Sequence, residues 1–292
     1  MKIISFTRKG KVQVGVLKNN NTEIVPVTYL GYNTTDMSTF LEKLTPEKHK
    51  RIERKKEMLH GIAIEEVSLV APIQYPRQDM ICLGINYLAH GEESAKFHED
   101  AFFKEKSVPI YFSKRINRCL GDSEDIDGHF DIVEGLDYEV ELGVIIGKDA
   151  KNVSKEEAND YILGYTIIND VSARNLQIKH QQWYFGKSLD DFVSMGPWIV
   201  THDEFTTPIS LGIRCYVNDE LRQDGNTSQL ITTIPEIIEE LSRGMTLKKG
   251  TIIATGTPAG VGMGFDPPKF LKSGDKVRCE IEGIGFIDNR IK

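Results

Sequence analysis

Leu136-Asp137-Tyr138-Glu139-Val140-Glu141-Leu142-Gly143-Val144-Ile145-Ile146-Gly147-Lys148 is the stretch that decides the fold. Its centre, Val140 to Ile146, continues as an apolar, β-branched run that reads as a strand buried on both faces. At its start the strand period of two places Glu139 and Glu141 on one face, with Tyr138, Val140 and Leu142 on the other. Two carboxylates side by side repel unless positive charge lies between them, and oxygen donors suit Mg²⁺, Mn²⁺ or Ca²⁺. A solvated strand face is the alternative reading of the pair.

Outward from this strand lie further apolar runs: Gly164 to Ile168, Trp198 to Val200, Ile213 to Val217, Thr251 to Ala254 and Val277 to Ile281. Gly, Asp, Asn and Pro bound them, as expected of strands. Ser154-Lys155-Glu156-Glu157 and Thr233-Ile234-Pro235-Glu236 fit the S/T-x-x-E capping box and predict two helices, with Gly244 stopping the second. A charged segment from about Ser38 to Met58 reads as a surface helix, interrupted at Pro46, where Thr45 would cap a second helix. Residues 1 to about 30 read as short strands separated by the turn-forming run Lys18-Asn19-Asn20-Asn21-Thr22. The balance predicts a β-rich α+β architecture and disfavours a doubly wound sheet or a TIM barrel. Ala71-Pro72-Ile73 and Tyr75-Pro76-Arg77 mark a boundary, giving a small N-terminal domain of residues 1–74 and a main domain of residues 75–292.

Across 292 residues, 36 Lys+Arg face 43 Asp+Glu for a net charge of -7, the wrong sign for tracking phosphate backbones, so no nucleic-acid partner is expected. No apolar run approaches the ~18 residues of a membrane span. The opening MKIISFTRKGKVQVGVL alternates apolar with polar, which reads as a strand and not as an export signal. Cys82, Cys119, Cys215 and Cys279 form no CxxC pair and sit in or beside apolar runs, the pattern of reduced structural thiols in a cytoplasmic protein. GxxxxGK[ST], HExxH and GxSxG are absent, and Gly260-Val261-Gly262-Met263-Gly264 has the wrong spacing for a dinucleotide fingerprint.

Asp170 ends an apolar strand and opens a polar turn. It is either a helix cap or a third oxygen donor completing a carboxylate cup that leaves room for water and a chelating substrate. Downstream, Arg174, Gln177 and Lys187 are either surface residues or the groups that hold an anionic substrate or a developing oxyanion. His90 and Glu93 are three apart, neighbours on a helical turn. Such a pair can polarise a water as general base, the alternative being an exposed acidic turn.

Taken in order, GINYLAHGEE (84–93), LDYEVELGVIIGK (136–148), GYTIINDVSARNLQ (164–177), FGKSLDDFVSMGPWIV (185–200) and TGTPAGVGMG (255–264) resemble the successive signatures of the fumarylacetoacetate hydrolase family over roughly residues 78–290. The resemblance implies a mixed β-sandwich roll, a homodimer, and one divalent metal, Mg²⁺ or Mn²⁺ with Ca²⁺ as a further option, on Glu139, Glu141 and Asp170. It also implies a His90–Glu93 lid dyad, substrate and oxyanion contacts from Arg174, Gln177 and Lys187, and Thr257 in a glycine-rich loop beside the substrate. Asn175 stands where the family commonly has Asp, and Leu189-Asp190-Asp191 where it has Phe-Asp-Thr. Related acylpyruvate hydrolases tend to carry a Pro-Ser pair soon after the lysine of Phe112-Ser113-Lys114-Arg115-Ile116-Asn117, a segment expected near the substrate, Lys114 included. The expected activity is on a small 2-oxo acid through an enolate. Hydrolysis of a C–C bond in a β-diketo acid such as an acylpyruvate comes first, with His90 and Glu93 activating water. Oxaloacetate decarboxylation or tautomerisation, or isomerisation of a 2-hydroxy-diene dioate, comes second, and a metal-dependent binding protein without turnover third.

Overall fold

The computed structural model describes residues 1–19, 21–94, 108–180 and 182–292. In chain order its strands are β1 (Lys2–Arg8), β2 (Lys11–Leu17), β3 (Glu23–Pro26), β4 (Ile62–Ala63), β5 (Ser68–Val70), β6 (Met80–Leu83), β7 (Tyr111–Lys114), β8 (Asp125–Ile126) and β9 (Leu136–Asp137). They continue as β10 (Val140–Ile146), β11 (Ile162–Asp170), β12 (Ser172–Ala173), β13 (Val193–Thr201), β14 (Gly212–Val217), β15 (Glu220–Asn226), β16 (Ile252–Ala254), β17 (Lys276–Ile281) and β18 (Gly285–Ile291). The helices are α1 (Met37–Lys43), α2 (Pro46–Lys56), α3 (Leu88–Ser94), α4 (Arg174–Lys179), α5 (Tyr184–Lys187) and α6 (Ile234–Gly244). This is the β-rich α+β architecture that the strand runs predict.

An 11-stranded sheet runs β4-β3-β2-β1-β13-β11-β10-β16-β6-β7, with β5 beside β1; a five-stranded sheet runs β15-β14-β17-β18-β8, and β12 pairs β9. The doubly covered strand is β10, at the centre of the large sheet between β11 and β16. Val140, Leu142, Val144 and Ile146 face a cluster shared with the five-stranded sheet, including Ile213, Cys215, Val277 and Ile287. Ile145, Ile168 and Ile199 face a second cluster that takes in Phe40, Leu41 and Ile52 of α1 and α2. Glu141 lies opposite Ile168, on the face of Ile145. Period-two alternation thus sends one carboxylate of an otherwise apolar strand into the second layer.

β1 and β2 form a hairpin from Ile3↔Val16 to Arg8↔Lys11, and β1 then meets β13 through Lys2↔Val200 and Ile3↔Ile199. The turn needs positive φ at both central residues, met by Lys9 (50°) and Gly10 (73°). The following turn contains Asn20, which lies outside the described residues; Lys18 and Glu23 close it by a backbone bond of 2.9 Å. Thr45 caps α2 with Pro46 in its first turn, as expected.

The capping box at Ser154 does not open an α-helix. Ser154 Oγ does donate to Glu157 Oε2 at 2.9 Å, but the segment is a turn followed by a short 3₁₀ helix, Ala158–Tyr161. β11 begins at Ile162, so the chain has one turn in which to reverse direction. All four cysteines are free and buried, Cys215 and Cys279 directly across from one another on β14 and β17. Among the described residues no helix is long and apolar enough to cross a membrane.

The box at Thr233 does cap α6. Thr233 N–H and Oγ donate to Glu236 Oε2 at 2.9 and 2.6 Å, while Ile234, Ile237, Ile238 and Leu241 bury the inner face. The Lys155 ammonium and the Thr233 donors hold the Glu236 carboxyl down at about 2, from 4.5. A depressed carboxyl contributes its stability fully above pH 4.5 and loses it as pH falls toward 2. Glu236→Gln is therefore expected to lose less melting temperature than the wild type between pH 5 and pH 3. Equal losses in differential scanning fluorimetry would show that the cap carries no acid sensitivity.

Candidate active site

Three carboxylates converge where β9 and β11 end and β10 begins. Glu139 sits between β9 and β10, its N–H donating to Asn169 Oδ1 at 3.1 Å while its carbonyl accepts the Asp170 N–H at 2.9 Å. Glu141 projects from β10 and accepts the Gly256 N–H at 2.7 Å. Asp170 ends β11 and is completely buried, as Glu141 nearly is. One oxygen from each of Glu139, Glu141 and Asp170 lies within 4.8 Å of the others.

Three cations among the described residues meet this set. Lys187, the last residue of α5, places Nζ 2.6 Å from Glu139 Oε2 and 2.8 Å from Asp170 Oδ2. Arg174, which opens α4, places Nη2 2.7 Å from Glu139 Oε1. Lys114 at the end of β7 pairs with the other Asp170 oxygen and donates to Val171 O at 2.8 Å. Burial alone would lower Lys187, yet Asp170 and Glu139 outweigh it and hold the ammonium above the ordinary lysine value. For Lys114 burial prevails and the pKa falls despite Asp170. Burial likewise opposes ionisation of Glu139, but Lys187 and Arg174 overcome it and hold the carboxyl low.

Glu141 is the exception. No lysine or arginine pairs with it among the described residues, and burial together with Asp170 and Glu139 pushes its carboxyl well up. An all-oxygen donor set, buried and short of positive charge at one member, fits a hard divalent cation.

The other wall is α3. His90 Nδ1 lies 3.1 Å from Glu93 Oε2, and the Gly260 N–H reaches both Glu93 oxygens at 3.1 and 3.2 Å. A Cβ on Gly264 would come within 1.8 Å of Glu93 Oε1, so the glycine-rich loop admits Glu93 because it lacks side chains there. Gln177 accepts from Arg174 Nη1 at 3.0 Å. Thr257 donates to Val140 O at 2.8 Å and accepts from Gln223 Nε2 at 2.7 Å, so its hydroxyl ties the loop to β10 and β15. Phe112 packs edge-on against Trp183, centroids 5.3 Å apart, with Lys187 Nζ 5.3 Å from the Phe112 ring.

The structure thus gathers the predicted residues into two groups, a charged cup and a His–Glu wall. Sequence reasoning missed Asp137, Asn86, Asn169 and Gln223. Asp137 was in view two positions before Glu139, but a lone buried Asp has no periodic signal. Asn86 Nδ2 donates to Thr255 O at 2.8 Å and its Oδ1 accepts the Thr232 N–H at 2.7 Å, partners 169 and 146 residues away in sequence.

The buried carboxylate cup on this β-rich fold is a candidate metal centre, and comparison with known proteins gives the family. Residues 79–292 match the family model described as fumarylacetoacetate (FAA) hydrolase C-terminal, and the chain belongs to the fumarylacetoacetate hydrolase family. It is 46% identical over 229 residues, 78% of this chain and 74% of the relative, to oxaloacetate tautomerase YisK of Bacillus subtilis. A solved fumarylacetoacetate hydrolase from psychrophilic Exiguobacterium antarcticum superposes with a TM-score of 0.82 at 35% identity, covering 100% of this chain and 99% of that one. Maleylpyruvate hydrolase from Sphingobium sp. SYK-6, solved with manganese(II) and pyruvate, gives 0.79 at 28% identity, covering 100% and 98%. Members of this family are enzymes, among them hydrolases, isomerases and tautomerases.

Lys187 bridges two buried carboxylates, so Lys187→Met would leave Glu139 to Arg174 alone and Asp170 to Lys114 alone. Removing one partner of a buried ion pair costs roughly 3–5 kcal/mol. The metal-free variant is expected to unfold at markedly lower urea concentration than the metal-free wild type, and a midpoint shift near zero would contradict the ion-pair assignment.

Proposed function

We propose that this protein is a divalent-metal-dependent tautomerase of short 2-oxo diacids such as oxaloacetate, with Glu139, Glu141 and Asp170 holding the cation. The observation that carries the reading is the Glu141 carboxylate, buried beside Glu139 and Asp170 with no cation of its own. A cation bound there would act as a Lewis acid on the 2-oxo and carboxylate oxygens of a chelating substrate, making the adjacent carbon more acidic. Lys187 stands beside Glu139 and Asp170 to stabilise the developing enolate oxygen, with Arg174 and Gln177 at the anionic end, while Lys114 and Thr257 act from behind by holding Asp170 and the glycine-rich loop. Glu93, seated on Gly260, orients His90 through Nδ1. Nε2 is thereby presented as the base that takes a proton from the carbon and returns it to the enol oxygen. The 46% identity to an enzyme named oxaloacetate tautomerase supports this choice of reaction.

A second reading, hydrolysis of a C–C bond in a β-diketo acid, is favoured by the same His90–Glu93 contact, since the pair can instead activate water. The likeness to a maleylpyruvate hydrolase supports it. We also propose a functional division at about residue 74, because every residue of the cup and the His–Glu wall follows it. Homodimerisation is the expected state, and the exposed apolar side chains Ile178, Tyr184 and Phe185 on α4 and α5 support it.

Two measurements test the proposal. In calorimetry, Mn²⁺ at a hundred times its dissociation constant should add about 2.7 kcal/mol to wild-type stability and little to Glu141→Gln. An equal gain in both would remove Glu141 from the cation site. In a stopped assay of the enol absorbance of oxaloacetate, the wild type should speed ketonisation only with Mg²⁺ or Mn²⁺. Lys187→Met should lower the rate by about 10²–10³-fold. Metal-dependent pyruvate and acetate from acetylpyruvate, lost in Glu93→Gln and without effect on oxaloacetate, would transfer the assignment to the hydrolase reading.

A further inference from the structure

Asp137 is completely buried on β9, two residues before Glu139, yet its carboxylate bonds to none of the triad and does not reach solvent. Its Oδ1 accepts the N–H groups of Gly262 (2.6 Å) and Tyr138 (2.9 Å), and its Oδ2 accepts the Met263 N–H (3.0 Å) and Arg174 Nε (2.8 Å). A carboxylate offers about four lone-pair sites, so Asp137 has none left for a metal, a substrate or a proton transfer. Arg174, held by Nε, turns Nη2 to Glu139 at 2.7 Å and Nη1 to Gln177 at 3.0 Å. The loop that Asp137 holds by Gly262 and Met263 is the loop whose Gly260 N–H seats Glu93. The close approach excludes a side chain, since a Cβ on Gly262 would lie 2.7 Å from Asp137 Oδ1 and 2.5 Å from Lys269 O.

We propose that Asp137 is the positioning residue that registers the two walls of the site, coupling the Glu93-bearing loop to the arginine that orients Glu139. Two contact paths, from Glu93 through Gly260 to Gly262 and Met263, and from Glu139 through Arg174, end on its single carboxylate. A displacement of either wall is transmitted to the other through a carboxylate that itself touches no substrate. The kinetic part of the test rests on the proposed tautomerase reading; the exchange part does not.

Asp137→Asn preserves shape but replaces one acceptor oxygen by an NH₂ that must face either Arg174 Nε or the loop amides. With oxaloacetate and Mn²⁺, kcat should fall by about 10–100-fold, the scale for groups that orient primary ligands, with KM little changed. Arg174→Lys cuts the arginine path alone, and combining it with Asp137→Asn should cost no more than the worse single change. Unchanged kcat in Asp137→Asn, or losses that multiply in the double variant, would overturn the proposal. If Asp137→Asn does not fold, Gly262→Ala cuts the loop path alone and should show the same kcat loss and the same non-additivity with Arg174→Lys. Amide hydrogen exchange at Gly262 and Met263, read without metal or substrate, should quicken in Arg174→Lys, and exchange at the wild-type rate would overturn the coupling. Quickened exchange beside a wild type that does not ketonise oxaloacetate would sink the tautomerase reading and leave the coupling standing.

Discussion

Burying like charges together is the constraint around which the rest of this molecule is arranged. Glu139, Glu141, Asp170 and Asp137 are all within 5% of full burial, and so, to within a percent more, are Lys114, Lys187 and Arg174. Each ion removed from water costs several kcal/mol even after relaxation, and only close, well-directed partners offset this. Three cations against four carboxylates leave the cluster one charge short, and the deficit falls at Glu141. That shortfall fits the cup to a divalent ion.

The large sheet exists in a form that meets this constraint. β10 and β11 are largely apolar on both faces, and at the one end of the pair where β10 begins and β11 stops, Glu139, Glu141 and Asp170 come together. Because those ends are fixed by central strands, the carboxylates are fixed with them. Their partners come on shorter pieces: α4, α5 and the end of β7. An acidic cup met by buried, hydrogen-bonded cations is an arrangement in which charge development on a substrate can be met without rebuilding the core.

Much of this was legible locally. The span of β10 agrees residue for residue with the run Val140 to Ile146, and α6 begins at its capping box, because period-two alternation and caps depend on a few neighbouring residues. The same rule failed at Ser154, where the local signal was present but the chain lacked the length for an α-helix before β11. Thr257 and Lys114 illustrate a different gap. Their side chains proved to be committed to Val140, Gln223, Asp170 and Val171, groups that no spacing argument brings together.

By itself, the sequence determined the strand-rich class, the face shared by Glu139 and Glu141, and the ordered motifs that mark the family, since each is written in residues close along the chain. Only the tertiary structure decided which cation answers which carboxylate, that Glu141 is left without one, and that Asp137 serves a loop and an arginine instead of the cup. Gly262 and Asp137 are 125 positions apart, Lys114 and Asp170 56, and Lys187 and Glu139 48. Pairings at such separations are set by how sheets stack and where helices end, and short-range periodicity carries no information about either.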